Sequence, residues 1–75
     1  TECNFYVYDN TLYFKNIQDL TKIKNIEIYN MLGQKIFKTS KIDNEVSLRT
    51  LPIGIYVLKV NNLNSNSQTL RFLSN

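Results

Sequence analysis

Residues Ile55 to Val60 (Ile-Tyr-Val-Leu-Lys-Val) form the most continuous apolar run of the chain, broken only by Lys59. Successive strand residues point to opposite faces. A run that is apolar on both faces therefore reads as a strand with a central place in a sheet. The rest of the chain must supply its neighbours.

Several segments qualify. Asn25 to Asn30 alternates, with Ile26 and Ile28 on one face and Glu27 and Tyr29 on the other, as a half-buried strand does. On this pattern Glu27 is a solvated strand residue. Asn4 to Tyr8 and Thr11 to Lys15 read as two strands around the turn signal Asp9-Asn10. Lys35 to Thr39 returns antiparallel after Met31-Leu32-Gly33-Gln34, where Gly33 suits the left-handed position of a short bulged hairpin. Val46 to Leu48 is a short strand. Leu51-Pro52-Ile53-Gly54 is a turn, with Pro52 at its second position. Gln68 to Leu73 closes the series, with Leu70 and Phe72 on one face. In Asn16 to Lys24, Ile17, Leu20 and Ile23 fall three apart, which reads as a connection with one or two helical turns.

Composition supports this pattern. The chain has eight isoleucines, five tyrosines and four phenylalanines but no alanine. Alanine is the best helix former, whereas β-branched and aromatic residues suit pleated strands. Eleven asparagines serve the turns. The expected fold is all-β, a small immunoglobulin-like β-sandwich of about seven short antiparallel strands. With 75 residues it is a single domain spanning 1–75.

The same inventory excludes several functions. There is no histidine, so the commonest general base and the usual nucleophile pairs are missing, and no enzyme is expected. One cysteine, Cys3, permits no internal disulfide, and without histidine the common zinc sites cannot form. Asp43-Asn44-Glu45 has oxygens for calcium, but a plain turn accounts for it, and no cofactor or metal is expected. The formal charge of +3 is spread rather than gathered in a stripe, which argues against nucleic acid. No apolar segment is long enough to insert across a membrane. Tyr6, Tyr8, Tyr13 and Tyr29 are candidates for a sugar-binding face, though tyrosines also cover sheet rims. Lys59 and Arg71 interrupt apolar strands, either snorkelling to water or offering cationic handles to a partner.

Taken in order, three segments resemble a known family. Ile26-Glu27-Ile28-Tyr29-Asn30-Met31-Leu32-Gly33-Gln34, then Leu51-Pro52-Ile53-Gly54-Ile55-Tyr56, then Arg71-Phe72-Leu73 are similar to the type A C-terminal sorting domains of type IX secretion system cargo proteins from Bacteroidetes-type bacteria. In that family the elements look like an Ile-x-Ile-Tyr-Asn-x-x-Gly-Gln hairpin, a Leu-x-x-Gly-x-Tyr turn and a final strand with a basic residue. The similarity covers roughly residues 5–75. One departure is plain: the family usually opens with a Tyr-Pro-Asn-Pro turn, and here Val7-Tyr8-Asp9-Asn10-Thr11 stands in its place without a proline. That change leads to the expectation of a shortened or rearranged first strand pair.

The resemblance implies a C-terminal secretion signal at the end of a longer secreted protein. It would direct an N-terminal cargo domain through the periplasm and across the outer membrane, to the cell surface or the medium. It implies as partners the translocon, a shuttle and a sortase-like peptidase that cleaves the domain during or after export. Gly33, Gln34, Leu51, Gly54 and Tyr56 are then structural motif residues. Recognition is expected at Lys59, Thr69, Leu70, Arg71, Phe72 and Leu73, through the free edge of a last strand. The alternative is an immunoglobulin-like adhesion or carbohydrate-binding module of a bacterial surface protein. A sorting domain must end its parent chain, whereas such a module can sit anywhere.

Overall fold

The computed structural model describes residues 4–75, apart from the side chains of Ile17 and Asp19. Cys3 lies outside that range. Seven strands form in chain order: β1 (Phe5–Tyr8), β2 (Thr11–Phe14), β3 (Ile23–Asn30), β4 (Lys35–Thr39), β5 (Glu45–Ser47), β6 (Gly54–Asn62) and β7 (Ser67–Ser74). One sheet has the order β1-β2-β5 and the other β4-β3-β6-β7, with every pair antiparallel. The expected all-β sandwich is the observed one. The apolar run from Ile55 to Val60 lies in β6, between β3 and β7.

The core is built from the inward side of each alternation. Ile26 and Ile28 on β3 and Leu58 and Val60 on β6 are fully buried, and Leu12 on β2 and Leu48 after β5 meet them from the other sheet. Each such side chain contributes about 1.5–3 kcal/mol by leaving water. Phe14, Tyr56 and Phe72 complete the cluster.

The connection between β2 and β3 is a 3-10 helix, Ile17–Lys22. Asn16 caps it, its side-chain oxygen accepting from the Gln18 N–H at 3.1 Å. Leu20 packs on the core and Ile23 is buried in it, so the segment does drop apolar residues onto the core edge. β3 begins at Ile23, two residues before the alternation becomes visible in sequence.

The first strand pair forms around a tight turn, each strand one residue shorter than the sequence reading. β1 and β2 pair over four residues, from Phe5 with Phe14 to Tyr8 with Thr11, leaving Asp9-Asn10 as a two-residue loop. Both loop residues have positive φ, 49° and 56°. Two successive left-handed residues define the hairpin turn whose twist matches that of the strands, and Asn and Asp tolerate it best. Proline, fixed near −65°, cannot take the Asp9 position. The missing prolines are thus what permits this turn.

Candidate functional site

Much of the sequence motif builds backbone. The Asn30 carboxamide oxygen accepts from the N–H groups of Leu32 and Gln34, each at 3.0 Å, while its nitrogen donates to Gln34 Oε1 at 2.8 Å. Gly33, at φ 85°, donates its N–H to the Asn30 carbonyl at 3.0 Å. The spacing Asn30-x-x-Gly33-Gln34 therefore encodes a β3–β4 hairpin that is closed by its own side chains. Sequence reasoning marked Gly33 and Gln34 as structural but not Asn30, which makes the most bonds.

The second motif turns the chain from one sheet to the other. Tyr56 donates its hydroxyl to the Pro52 carbonyl at 2.7 Å, and its ring lies 3.7 Å from where a Cβ on Gly54 would stand. The ring also packs against Phe72, with centroids 5.8 Å apart. Ser74 donates to the Leu51 carbonyl at 3.3 Å. Leu51, Gly54 and Tyr56 thus fix the start of β6 and hold the end of β7 beside it.

What the four-stranded sheet presents outward follows from its register. Ile55 pairs with Leu73 at one end. The next outward row runs Lys35, Tyr29, Val57, Arg71 across all four strands, and the row after it runs Lys38, Glu27, Lys59, Thr69. The last row is Asn25, Asn61 and Ser67. Cations therefore flank a single carboxylate.

Glu27 is not solvated, contrary to its reading from the alternation. Only 8% of it is exposed. Its carboxylate accepts from Lys35 Nζ at 2.7 Å and from Asn61 Nδ2 at 2.7 Å, and Asn61 also bonds Asn25 Oδ1 at 2.7 Å. These hydrogen bonds, Lys35 first, lower the Glu27 pKa to about 2 against the opposing effect of burial, with the charges of Lys35 and Lys59 adding to them. The Lys35 pKa is raised by the same partner. Lys35 reaches Glu27 because β4 bulges: Ile28 pairs with Phe37 but Tyr29 with Lys35, which leaves Ile36 as the extra residue. Lys38 and Arg71 form no salt bridge among the described residues.

The expected recognition residues divide between two faces. Lys59, Thr69, Arg71 and Leu73 lie on the outward face, whereas Leu70 is half-buried and Phe72 is in the core. β7 is an edge strand, so along its far side it has no strand partner. An open groove of about 650 Å³ separates it from β1, the edge of the other sheet. At one end that groove is clasped: Asn10 Nδ2 donates to the Asn75 carbonyl at 2.7 Å, and Asn75 N–H donates to Asn10 Oδ1 at 3.1 Å. Arg49 pairs with Asp9 beside it at 3.1 Å.

The family model of secretion system C-terminal sorting domains matches residues 8–74. The chain belongs to that family. It is a type IX secretion sorting domain, and its three motifs fall within the match. No curated protein matches the sequence.

In this sorting domain the match begins at Tyr8, so it includes the first turn but little of β1. The tyrosines do not form one platform. Tyr6 and Tyr13 stack at 5.1 Å on the three-stranded sheet with Lys15 Nζ 5.7 Å from the Tyr6 ring centre, while Tyr29 belongs to the other sheet. Asp43 is exposed in a loop, Glu45 begins β5, and the Asn44 carbonyl accepts from the Phe14 N–H at 3.0 Å, so the segment leads into the β2–β5 pairing rather than forming the expected turn.

Proposed function

We propose that this sorting domain is read through the edge of β7 and the outward side chains beside it, Lys59, Thr69, Arg71 and Leu73. The single observation that carries this reading is the place of β7: the last strand of a matched export signal is an edge, with unpaired backbone and an unpaired cation. Free N–H and C=O groups supply affinity for an added strand, and alternating side chains supply selectivity. Phe72 and Leu70 act indirectly, by anchoring β7 to the core.

In this reading the domain is a substrate and an address rather than a catalyst. It folds in the periplasm, engages the translocon and its shuttle, and carries its cargo across the outer membrane. A sortase-like peptidase then removes it. The test fuses residues 1–75 to a reporter in a type IX-competent bacterium. Reporter at the surface or in the medium is the expected result, together with periplasmic retention when Arg71–Asn75 is deleted. Normal export of that truncation contradicts the role given to β7.

A further inference from the structure

The outward rows of the four-stranded sheet end in an apolar tip. Ile55 and Leu73 are cross-strand partners there. Met31 and Leu32 extend from Asn30, whose own partner on β6 is Tyr56, so the hairpin loop lies next to Ile55. Ile53 directly precedes β6 at the same end. All five are exposed, Leu32 and Ile53 by more than four-fifths (85% and 83%). They account for five of the nine large hydrophobic side chains that stand exposed among the described residues. Gathered apolar exposure of this kind marks an interaction site, whereas scattered exposure does not.

Cations stand directly behind the tip. Arg71 and Lys35 occupy the first row behind it, and Lys38 and Lys59 the second. The one acid on this face, Glu27, is already held by Lys35, and Asp9 at the same end is paired with Arg49. We propose that this end of the domain makes peripheral contact with an anionic lipid surface. The tip residues enter the headgroup boundary, and Arg71, Lys38 and Lys59 meet the lipid phosphates, while Lys35 stays paired with Glu27.

A lipid surface fits better than a protein one for two reasons. Protein hot spots favour aromatic and Arg anchors seated in pockets, whereas these side chains are aliphatic and project from two loops and a strand end. A fluid surface accommodates projecting aliphatic residues, and a basic band just behind them suits its negative potential. The start of β1 lies at the other end of the first hairpin, where the Asn4 carbonyl accepts from the Lys15 N–H at 2.9 Å. A cargo joined ahead of β1 would leave away from the tip.

The contact shares Lys59, Arg71 and Leu73 with the docking surface proposed above, and vesicles, which hold no protein partner, separate the two. The 75-residue chain is sedimented with vesicles of phosphatidylcholine alone or with roughly 30% phosphatidylglycerol. Binding is expected only to the anionic vesicles, falling when salt is raised from about 0.05 M to about 0.5 M. Leu32→Asp with Ile53→Asp, and separately Lys59→Gln with Arg71→Gln, should each lower partitioning roughly tenfold or more with circular dichroism unchanged. These positions are on the surface, so folding is retained. No binding at about 1 mM lipid, equal binding to both vesicle types, or unaltered binding by both variants overturns the proposal. Absence of vesicle binding by the native chain, with its reporter fusion still exported, sinks the membrane contact and leaves the sorting function standing. Vesicle binding without export of the parent fusion does the reverse.

Discussion

Asn10 holds Asn75 by a two-way bond, its amide nitrogen donating to the Asn75 carbonyl at 2.7 Å and its oxygen accepting the Asn75 N–H at 3.1 Å. The side-chain amide acts as a one-residue strand between residues 65 positions apart and ties the first hairpin to the end of β7. Each bond contributes about 0.5–1.5 kcal/mol. Asn10→Gly keeps the positive φ and loses the bonds. Asn10→Ala loses both and adds about 1 kcal/mol of backbone strain. Urea unfolding should therefore rank the native chain above Asn10→Gly and Asn10→Ala lowest. Equal stability of all three would show that the clasp contributes nothing.

The first turn admits no proline at its first loop position. Asp9 has φ 49° and proline is held near −65°. Asp9→Pro, a change toward the family's usual turn, should destabilise the domain by about 2 kcal/mol or more, because the β1–β2 register depends on this turn. Thermal unfolding measures it. An unchanged or raised melting temperature contradicts the turn geometry.

Glu27 makes the domain sensitive to acid. Its folded pKa, about 2, lies below the ordinary 4.5. A lowered carboxylate pKa gives a contribution that is complete above the unfolded value and lost as pH falls toward the folded one. Stability should decline between pH 4.5 and about 2, in part through this group. Glu27→Gln should flatten that decline, and titration by NMR should place the Glu27 midpoint near 2 in the native chain. A midpoint near 4.5 sinks this account of the network.

Tyr56→Phe removes one hydrogen bond, to the Pro52 carbonyl, and leaves the ring packed on Phe72. A loss of about 1 kcal/mol in urea unfolding is expected. A loss above about 3 kcal/mol would mean that the ring itself had moved.

The local parts of this structure were legible in the sequence. Ile26 and Ile28 announced a half-buried strand by their spacing, Gly33 announced a left-handed turn, and the Ile55–Val60 run required a central strand. Glu27 was not legible. Its alternation with isoleucines predicts exposure, and its burial depends on Lys35 reaching across a bulge and on Asn61 from β6. The same limit applies to Asn10 and Asn75, whose contact exists only once both sheets are assembled. Phe72 was grouped with Arg71 because they are adjacent, yet in a strand adjacent residues face opposite ways. A better signal was available in the period: Thr69, Arg71 and Leu73 share one face with Lys59, and Leu70 and Phe72 share the other.

That division sets the most direct test. Lys59→Gln with Arg71→Glu changes what β7 and its neighbour present outward without setting a like charge opposite Glu27, whereas deleting part of β7 also removes Phe72 from the core. Each variant is fused to a reporter in a type IX-competent bacterium, and cells, periplasm and medium are assayed, with circular dichroism confirming the fold. The account predicts that the doubly substituted domain folds and that its reporter stays in the periplasm. Export of that reporter at the level of the native fusion would contradict it.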